Sequence, residues 1–260
     1  MRQHPTAVIS SKAKIAQGVE VGPYAVIEEG VSIAKGVKIY AHAYLTGRAE
    51  IGEGTEIHMG AVIGHVPQDW SFKKSIRSTV RIGKNNLIRE YVTIHRGSKE
   101  GSATIIGDDN FLMAHSHVAH DCQLGNGIIL ANGALLGGHV SVGDKVFISG
   151  NVVVHQFARV GKLAIVGGGA RIIKDVPLFM LAKGDSEVYT INSVGLRRAG
   201  YRLEQRQAIK EAFRLLYRSG RNVSQAMEIL QQKPKSPEVE ELIQFIRESK
   251  RGICGGRSSF

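Results

Sequence analysis

Cysteine is scarce in this chain: two residues in 260, Cys122 and Cys254, far apart and in no metal or disulfide spacing. A disulfide-stapled scaffold and a cysteine-ligated zinc module are thereby excluded, and free thiols fit a reducing compartment. Apolar runs are short, none nearing the roughly 20 residues that cross a bilayer, and no basic-then-apolar leader opens the chain. The expectation is a soluble, cytoplasmic protein with no transmembrane segment. Aromatic residues make up only 6%, while Lys and Arg outnumber Asp and Glu by 34 to 23. A net charge of +11 calls for anionic partners. Without aromatics interleaved among the basic residues there is no stacking platform, so nucleic acid is not expected among them.

What the chain has in abundance is a period of six. Aliphatic residues stand at Ile9, Ile15, Val21, Ile27, Ile33, Ile39, Leu45, Ile51, Ile57 and Ile63, then at Ile82, Ile88 and Ile94, and again from Ile106 through Leu112, Val118, Leu124 and onward to Ile172. Neither an amphipathic helix nor an alternating strand repeats at six. A hexapeptide rhythm signals a parallel β-helix, in which each hexad supplies a short strand and a corner, with the aliphatic residue on the axis. At about 4.8 Å per coil, the repeats build a prism roughly 40 Å tall.

Two segments interrupt the rhythm. "HVPQDWSFKKSIRSTVR" shifts the phase by one residue and "RGSKEGSAT" replaces a hexad while keeping phase, which predicts loops near 64–81 and 95–105. In repeat proteins such insertions mark binding faces. Past Gly184 the hexads stop. "LEQRQAIKEAFRLLYRS" places Ala208, Ile209, Ala212, Phe213 and Leu216 at helical spacing, and Ser236-Pro237 reads as a cap and first helical residue. The chain therefore divides into a repeat unit, 1–184, and a helical unit, 185–260, that closes the end of the prism.

"HSHVAHDCQLGNG", 115–127, carries three histidines, an aspartate and a cysteine. With Val118 and Leu124 axial and Ser116 inward, the phase turns His115, His117, His120 and Asp121 outward. His139 lies 18 residues, one coil, beyond Asp121, and His155 follows axial Val154. Outward histidines at such density permit either a zinc site of three imidazoles or a general base with its helpers.

The segments "HVAHDC" (117–122), "GGHVSV" (137–142), "HQF" (155–157), "IREYVTIHRG" (88–97) and "NSVGLRRAG" (192–200) resemble the UDP-N-acetylglucosamine O-acyltransferase family that begins lipid A synthesis. The likeness covers nearly the whole chain. It implies a left-handed parallel β-helix followed by a C-terminal α-helical domain, a homotrimer, an acyl carrier protein as donor and a UDP-sugar as acceptor, with no cofactor and no metal. By the same matching, His120 is the general base, Asp121 orients its ring, and the Gly138 amide faces the oxyanion. Asp69, His117, His139, His155, Gln156, Asn192 and Arg198 match substrate-binding residues, and Gly168 matches the acyl-chain ruler. Cys122 is a bystander, since no covalent intermediate is implied. The chain departs from the family at Val194, where well-known members are acidic. The first loop is also one residue longer, so the lysine that often follows the aspartate is Lys73 or absent.

The basic series Arg198, Arg202, Arg206, Lys210, Arg214 and Arg218 recurs every fourth residue and winds around a helix; an acidic carrier would dock on part of it. Other readings are a γ-class carbonic anhydrase-like zinc enzyme, a related N-acyltransferase of the same pathway, an acetyltransferase using coenzyme A, and a structural solenoid. The first would use the histidines as ligands, and the last would leave their clustering unexplained.

Overall fold

Each hexad forms a two-residue strand such as Val26–Ile27, whose second side chain is buried and whose first faces out. A computed structural model describes residues 2–232 and 236–256; the remaining residues of the two expected units, 1, 233–235 and 257–260, lie outside the described residues. Successive strands join three different sheets, of nine, eight and twelve strands, in a left-handed parallel β-helix. Register partners are 18 residues apart, as in Glu20 opposite Lys38. The axial residues from Val21 to Ile172 form one continuous buried column, with Ile9 and Ile15 half-buried at the open end.

Corners use left-handed backbone, and many are not glycine. Asp121, His139 and Phe157 occupy the same corner in three consecutive coils, at φ 58°, 60° and 64°. An L-residue there costs about 1–2 kcal/mol. Stacking offsets part of it, since the His139 and Phe157 rings lie parallel with centroids 4.6 Å apart.

The two interruptions behave as their phase demands. Partners become 31 residues apart across the first, with Glu56 opposite Leu87, and 24 across the second, with Leu87 opposite Phe111. The first excess is two hexads and one residue, hence the slip; the second is one hexad, hence none. Strands Val62–His65 and Thr79–Ile82 bound the first loop, and Thr93–His95 and Ala103–Ile106 the second. Both loops leave from one edge of the prism, between the nine- and eight-stranded sheets.

Beyond Ile172, strand Met180–Lys183 still pairs in parallel with Ile165–Val166, and Glu187–Ile191 then returns antiparallel to it. Four helices follow: α1 (Ser193–Arg198), α2 (Leu203–Tyr217), α3 (Val223–Gln232) and α4 (Pro237–Arg247). Helix α2 buries Ile209, Ala212, Phe213 and Leu216 and packs on the returning strand. Ser236 occupies the cap position of α4 but makes no side-chain capping bond. The basic series is not one helical stripe: α1 ends at Arg198, Arg202 stands before α2, and Arg206 is half-buried. Buried Asp175 ties the segment just after α4 to the prism by accepting the Arg159 backbone N–H (2.8 Å), Arg159 Nε–H (2.9 Å) and Ser249 Oγ–H (2.7 Å).

Candidate active site

The edge that throws off both loops also carries the histidines. Corner residues 119–121, 137–139 and 155–157 stack there, one coil above another. His120 Nδ1 lies 2.8 Å from Asp121 Oδ2. Their side chains are 18% and 10% exposed, so the pair is shielded but reachable. His139, one coil up, brings Nε2 to 3.7 Å from the same carboxylate oxygen and sets its ring edge-on to His120.

Gly138 lies buried against the His120 ring, and a Cβ built on it would fall 2.6 Å from both Cε1 and Nε2. The amides on either side of it are used, Gly137 N–H on Val154 O and His139 N–H on His120 O. Among the described residues the Gly138 amide makes no hydrogen bond.

Below the pair, His117 Nδ1 is 2.6 Å from Thr93 Oγ1. His155 and Gln156 are exposed at the upper corner, with His155 Nδ1 donating to Gln156 O (3.0 Å). A groove of about 400 Å³ runs past Gln68, His95, His117, His120, Gly138, His155 and Gln156, floored by Leu135 and Val153. Those two apolar side chains are 41% and 46% exposed on the outer face of the nine-stranded sheet. A second groove of about 670 Å³ opens on the other side of the same corner, past Asp121, His139, Phe157 and Arg159, and one of about 780 Å³ beneath α4 is lined by carboxylates, arginines and a lysine but by no histidine.

Burial shifts the histidines that surround the pair. Burial, reinforced by the nearby His117, His65 and His120, lowers His95 to about 4. Burial and the proximity of His120 lower His117, and burial lowers His139 against the pull of Asp121. Burial opposes the Asp121 charge, yet hydrogen bonds from His120, Ser98 and Ser102 outweigh it and hold the carboxyl well below its usual range. The result is an ionised carboxylate whose bonded imidazole sits among histidines kept neutral at pH 7. Such a pair can take a proton from a hydroxyl and return it to a leaving group.

Asp69 lies on the exposed first loop, accepting the Ser71 N–H and Oγ–H (both 2.8 Å), and its carboxyl is lowered chiefly by those bonds with a contribution from the His120 charge. Ser71, not a lysine, therefore fills the place beside it; Lys73 is exposed further along. Asn192 is buried and caps α1, its Oδ1 accepting Gly195 N–H and its Nδ2 donating to Leu163 O (both 2.8 Å). Arg198 is exposed at the end of α1, and Val194 is exposed within it. The bond from Asn192 to Leu163 starts α1 at the edge between the eight- and twelve-stranded sheets. Gly168 lies at the third edge, across the nine-stranded sheet from His120. One chain thus assembles His120, Asp121, Gly138, His117, His139, His155 and Gln156, with Asp69 near, and leaves Asn192, Arg198 and Gly168 on other edges.

The three histidines of "HSHVAH" do not converge within the chain, because His115 turns to another corner and stacks on Tyr91 at 5.3 Å. His120, Asp121 and His139 do bring metal-type donor atoms within 4.8 Å of one another. Cys122 is buried behind the site, its Sγ donating to Gly137 O (3.1 Å), and burial pushes the thiol up to about 12. It is no nucleophile at neutral pH.

Sequence reasoning passed over His95 and Gln68. His95 was readable: it follows axial Ile94 by one step, as His155 follows Val154. Gln68 had no such signal, since no repeat position governs the loop.

Comparison with known proteins agrees with this arrangement. Residues 175–254 match the family model described as UDP-N-acetylglucosamine O-acyltransferase, domain 2, and residues 12–47 and 103–138 match the bacterial transferase hexapeptide repeat. An acyl-[acyl-carrier-protein]--UDP-N-acetylglucosamine O-acyltransferase of Alkalilimnicola ehrlichii is 50% identical over 97% of this chain and 98% of its own length. One from Janthinobacterium is 47% identical over 96% and 98%. Among solved structures, UDP-N-acetylglucosamine acyltransferases from Bacteroides fragilis (44% identity, TM-score 0.91, 96% of this chain and 98% of that one) and Francisella novicida (37%, TM-score 0.95, 98% and 95%) share the fold. With half its residues shared with a relative along almost its full length, this chain belongs to the UDP-N-acetylglucosamine O-acyltransferase family.

Proposed function

We propose that the chain transfers a 3-hydroxyacyl group from acyl carrier protein to the 3-position of UDP-N-acetylglucosamine, the first step of lipid A biosynthesis, in the cytoplasm. The observation that carries the mechanism is the His120–Asp121 bond of 2.8 Å beside an unengaged glycine amide. With Nδ1–H given to Asp121, the lone pair sits on Nε2, facing the groove side of Gly138. Nε2 takes the proton of the sugar 3-hydroxyl as its oxygen attacks the thioester carbonyl. The resulting oxyanion is stabilised by the Gly138 N–H. When the tetrahedral intermediate collapses, the C–S bond breaks and the proton passes from Nε2 to the departing thiolate. No enzyme-bound acyl group forms.

The acyl chain lies along exposed Leu135 and Val153 toward Gly168. Asp69, His117, His139, His155 and Gln156 line the cleft for sugar and donor, and exposed members of the basic series, such as Lys210 and Arg214, receive the acidic carrier. The active unit is a homotrimer. On the twelve-stranded sheet, Leu87, Phe111, Ile129, Phe147 and Ile165 point outward and are only half-buried, whereas the rungs below them carry Glu20, Lys38 and Glu56. An apolar strip of this kind calls for a partner, and a neighbouring copy would bring Asn192 and Arg198 from their own edge to the His120 edge. With UDP-N-acetylglucosamine and a panel of hydroxyacyl carriers, His120→Ala should lower kcat about 10³-fold while the circular-dichroism spectrum is unchanged. Retained turnover would remove His120 as the base.

A further inference from the structure

Apart from its bond to His120, Asp121 is held by the second loop and the strand that closes it. Its carboxylate Oδ2 accepts the Ser98 backbone N–H at 3.0 Å, and the side chains of Ser98 and Ser102 help hold its charge. Ser102 Oγ already accepts the Lys99 N–H (3.0 Å), which leaves its own proton free for the carboxylate. The Asp121 backbone N–H goes to Thr104 Oγ1 (2.8 Å), on the strand that ends the same loop. The loop itself is strapped down: Arg77 N–H donates to Glu100 Oε2 (2.8 Å) and Gly101 N–H to Arg77 O (2.9 Å). A Cβ at Gly97 would stand 2.2 Å from Ser102 Oγ, so glycine there is what lets the loop close this tightly.

We propose that the second loop is the cradle of the catalytic carboxylate, with Ser98 and Ser102 as positioning residues that act on the reaction through Asp121. This rests on the reading of His120 and Asp121 as the base pair. A decorative loop replacing one hexad in phase would have no reason to bind both the carboxylate and the backbone N–H of Asp121. The donors keep the carboxylate from swinging and from hardening its grip on the protonated ring. A carboxylate stripped of them becomes more basic, so the pair releases its proton at higher pH. The other charged or titratable groups around the pair include His139 above it, His117 on the strand before it, buried His95 in the same groove, Asp69 from the first loop and Lys99, which lowers His139.

The test is the pH profile of kcat/KM for Ser98→Ala, Ser102→Ala and the double variant, with Ser102→Thr as the conservative control. The double variant should lose about tenfold in kcat with KM for the UDP-sugar within twofold, and the acidic limb should move upward by roughly half a pH unit or more. Ser102→Thr should keep both at wild type. Unchanged kcat, or a fall in kcat with an unmoved limb, would overturn the cradle and leave a merely structural loop. If the double variant unfolds, Ser98→Ala alone, which keeps the backbone bond, is read by the same criteria. Full activity in His120→Ala would sink the underlying mechanism, whereas a dead His120→Ala beside silent serine variants sinks only this proposal.

Discussion

Replacing Gly138 by alanine adds one methyl group, and the geometry says where it goes. The new Cβ would lie 2.6 Å from Cε1 and Nε2 of His120, against an ordinary carbon contact of about 3.5–4.0 Å. The ring must therefore retreat by about 1 Å. It cannot do so freely, because Nδ1 is held by Asp121 at 2.8 Å and the ring stands edge-on to His139 at 5.2 Å. Retreat by that amount stretches the Asp121 bond past the range in which a hydrogen bond holds, and a misplacement of 1 Å costs on the order of 10²-fold in rate. Stability should barely respond. Gly138 is outside the left-handed region that strains other residues, so the backbone accepts alanine. Local overpacking of about 1–3 kcal/mol is partly offset by about 0.4–1 kcal/mol from the stiffer unfolded chain. Steady-state kcat/KM on hydroxyacyl carrier and UDP-sugar, read beside thermal unfolding, should show about a 100-fold loss with the melting temperature within a few degrees. Activity within threefold of wild type at unchanged stability would mean that the ring position is immaterial, and the general-base argument would fall with it.

Gly168 offers the opposite case. A Cβ there meets only Gly150 O at 3.5 Å and Ser149 Cβ at 3.9 Å, so Gly168→Met should fold normally and shift acyl preference to chains shorter by several carbons; competition among carrier-bound chains, resolved by mass spectrometry, checks this, and an unchanged preference ends the ruler reading. Stability should decline as pH falls from about 7 toward 4, because an unfolded His95 takes a proton near its ordinary 6.5 whereas the buried ring resists until about 4. That difference is present in full above 6.5, has lost about 2 kcal/mol by pH 5, and should shrink in denaturant titrations of His95→Gln; an equal slope in the variant refutes the assignment. Dialysis against a chelator should leave turnover unchanged and purified protein should carry only substoichiometric zinc. A loss on chelation that zinc restores would turn His120, Asp121 and His139 into ligands.

The six-residue phase made most of the fold legible, since burial follows it: every axial position from Val21 to Ile172 is inside, and the same phase turned His117, His120 and Asp121 out. Helices α1 and α3 escaped because α1 is six residues long and α3 ten, too short for periodicity to speak clearly. Asn192 matched a ligand-binding residue by resemblance, yet in the chain its polar atoms serve a helix cap, which depends on what folds three residues later. The limit is sharpest at Asp121. Its position on the corner follows from Val118 and Leu124, but the Ser98 N–H that binds its carboxylate comes from a loop that no repeat position governs. A periodic scaffold fixes where a side chain begins. Whether its charge is held there depends on an aperiodic loop, and in this protein the loop that breaks the rhythm without shifting it is the one that reaches the carboxylate.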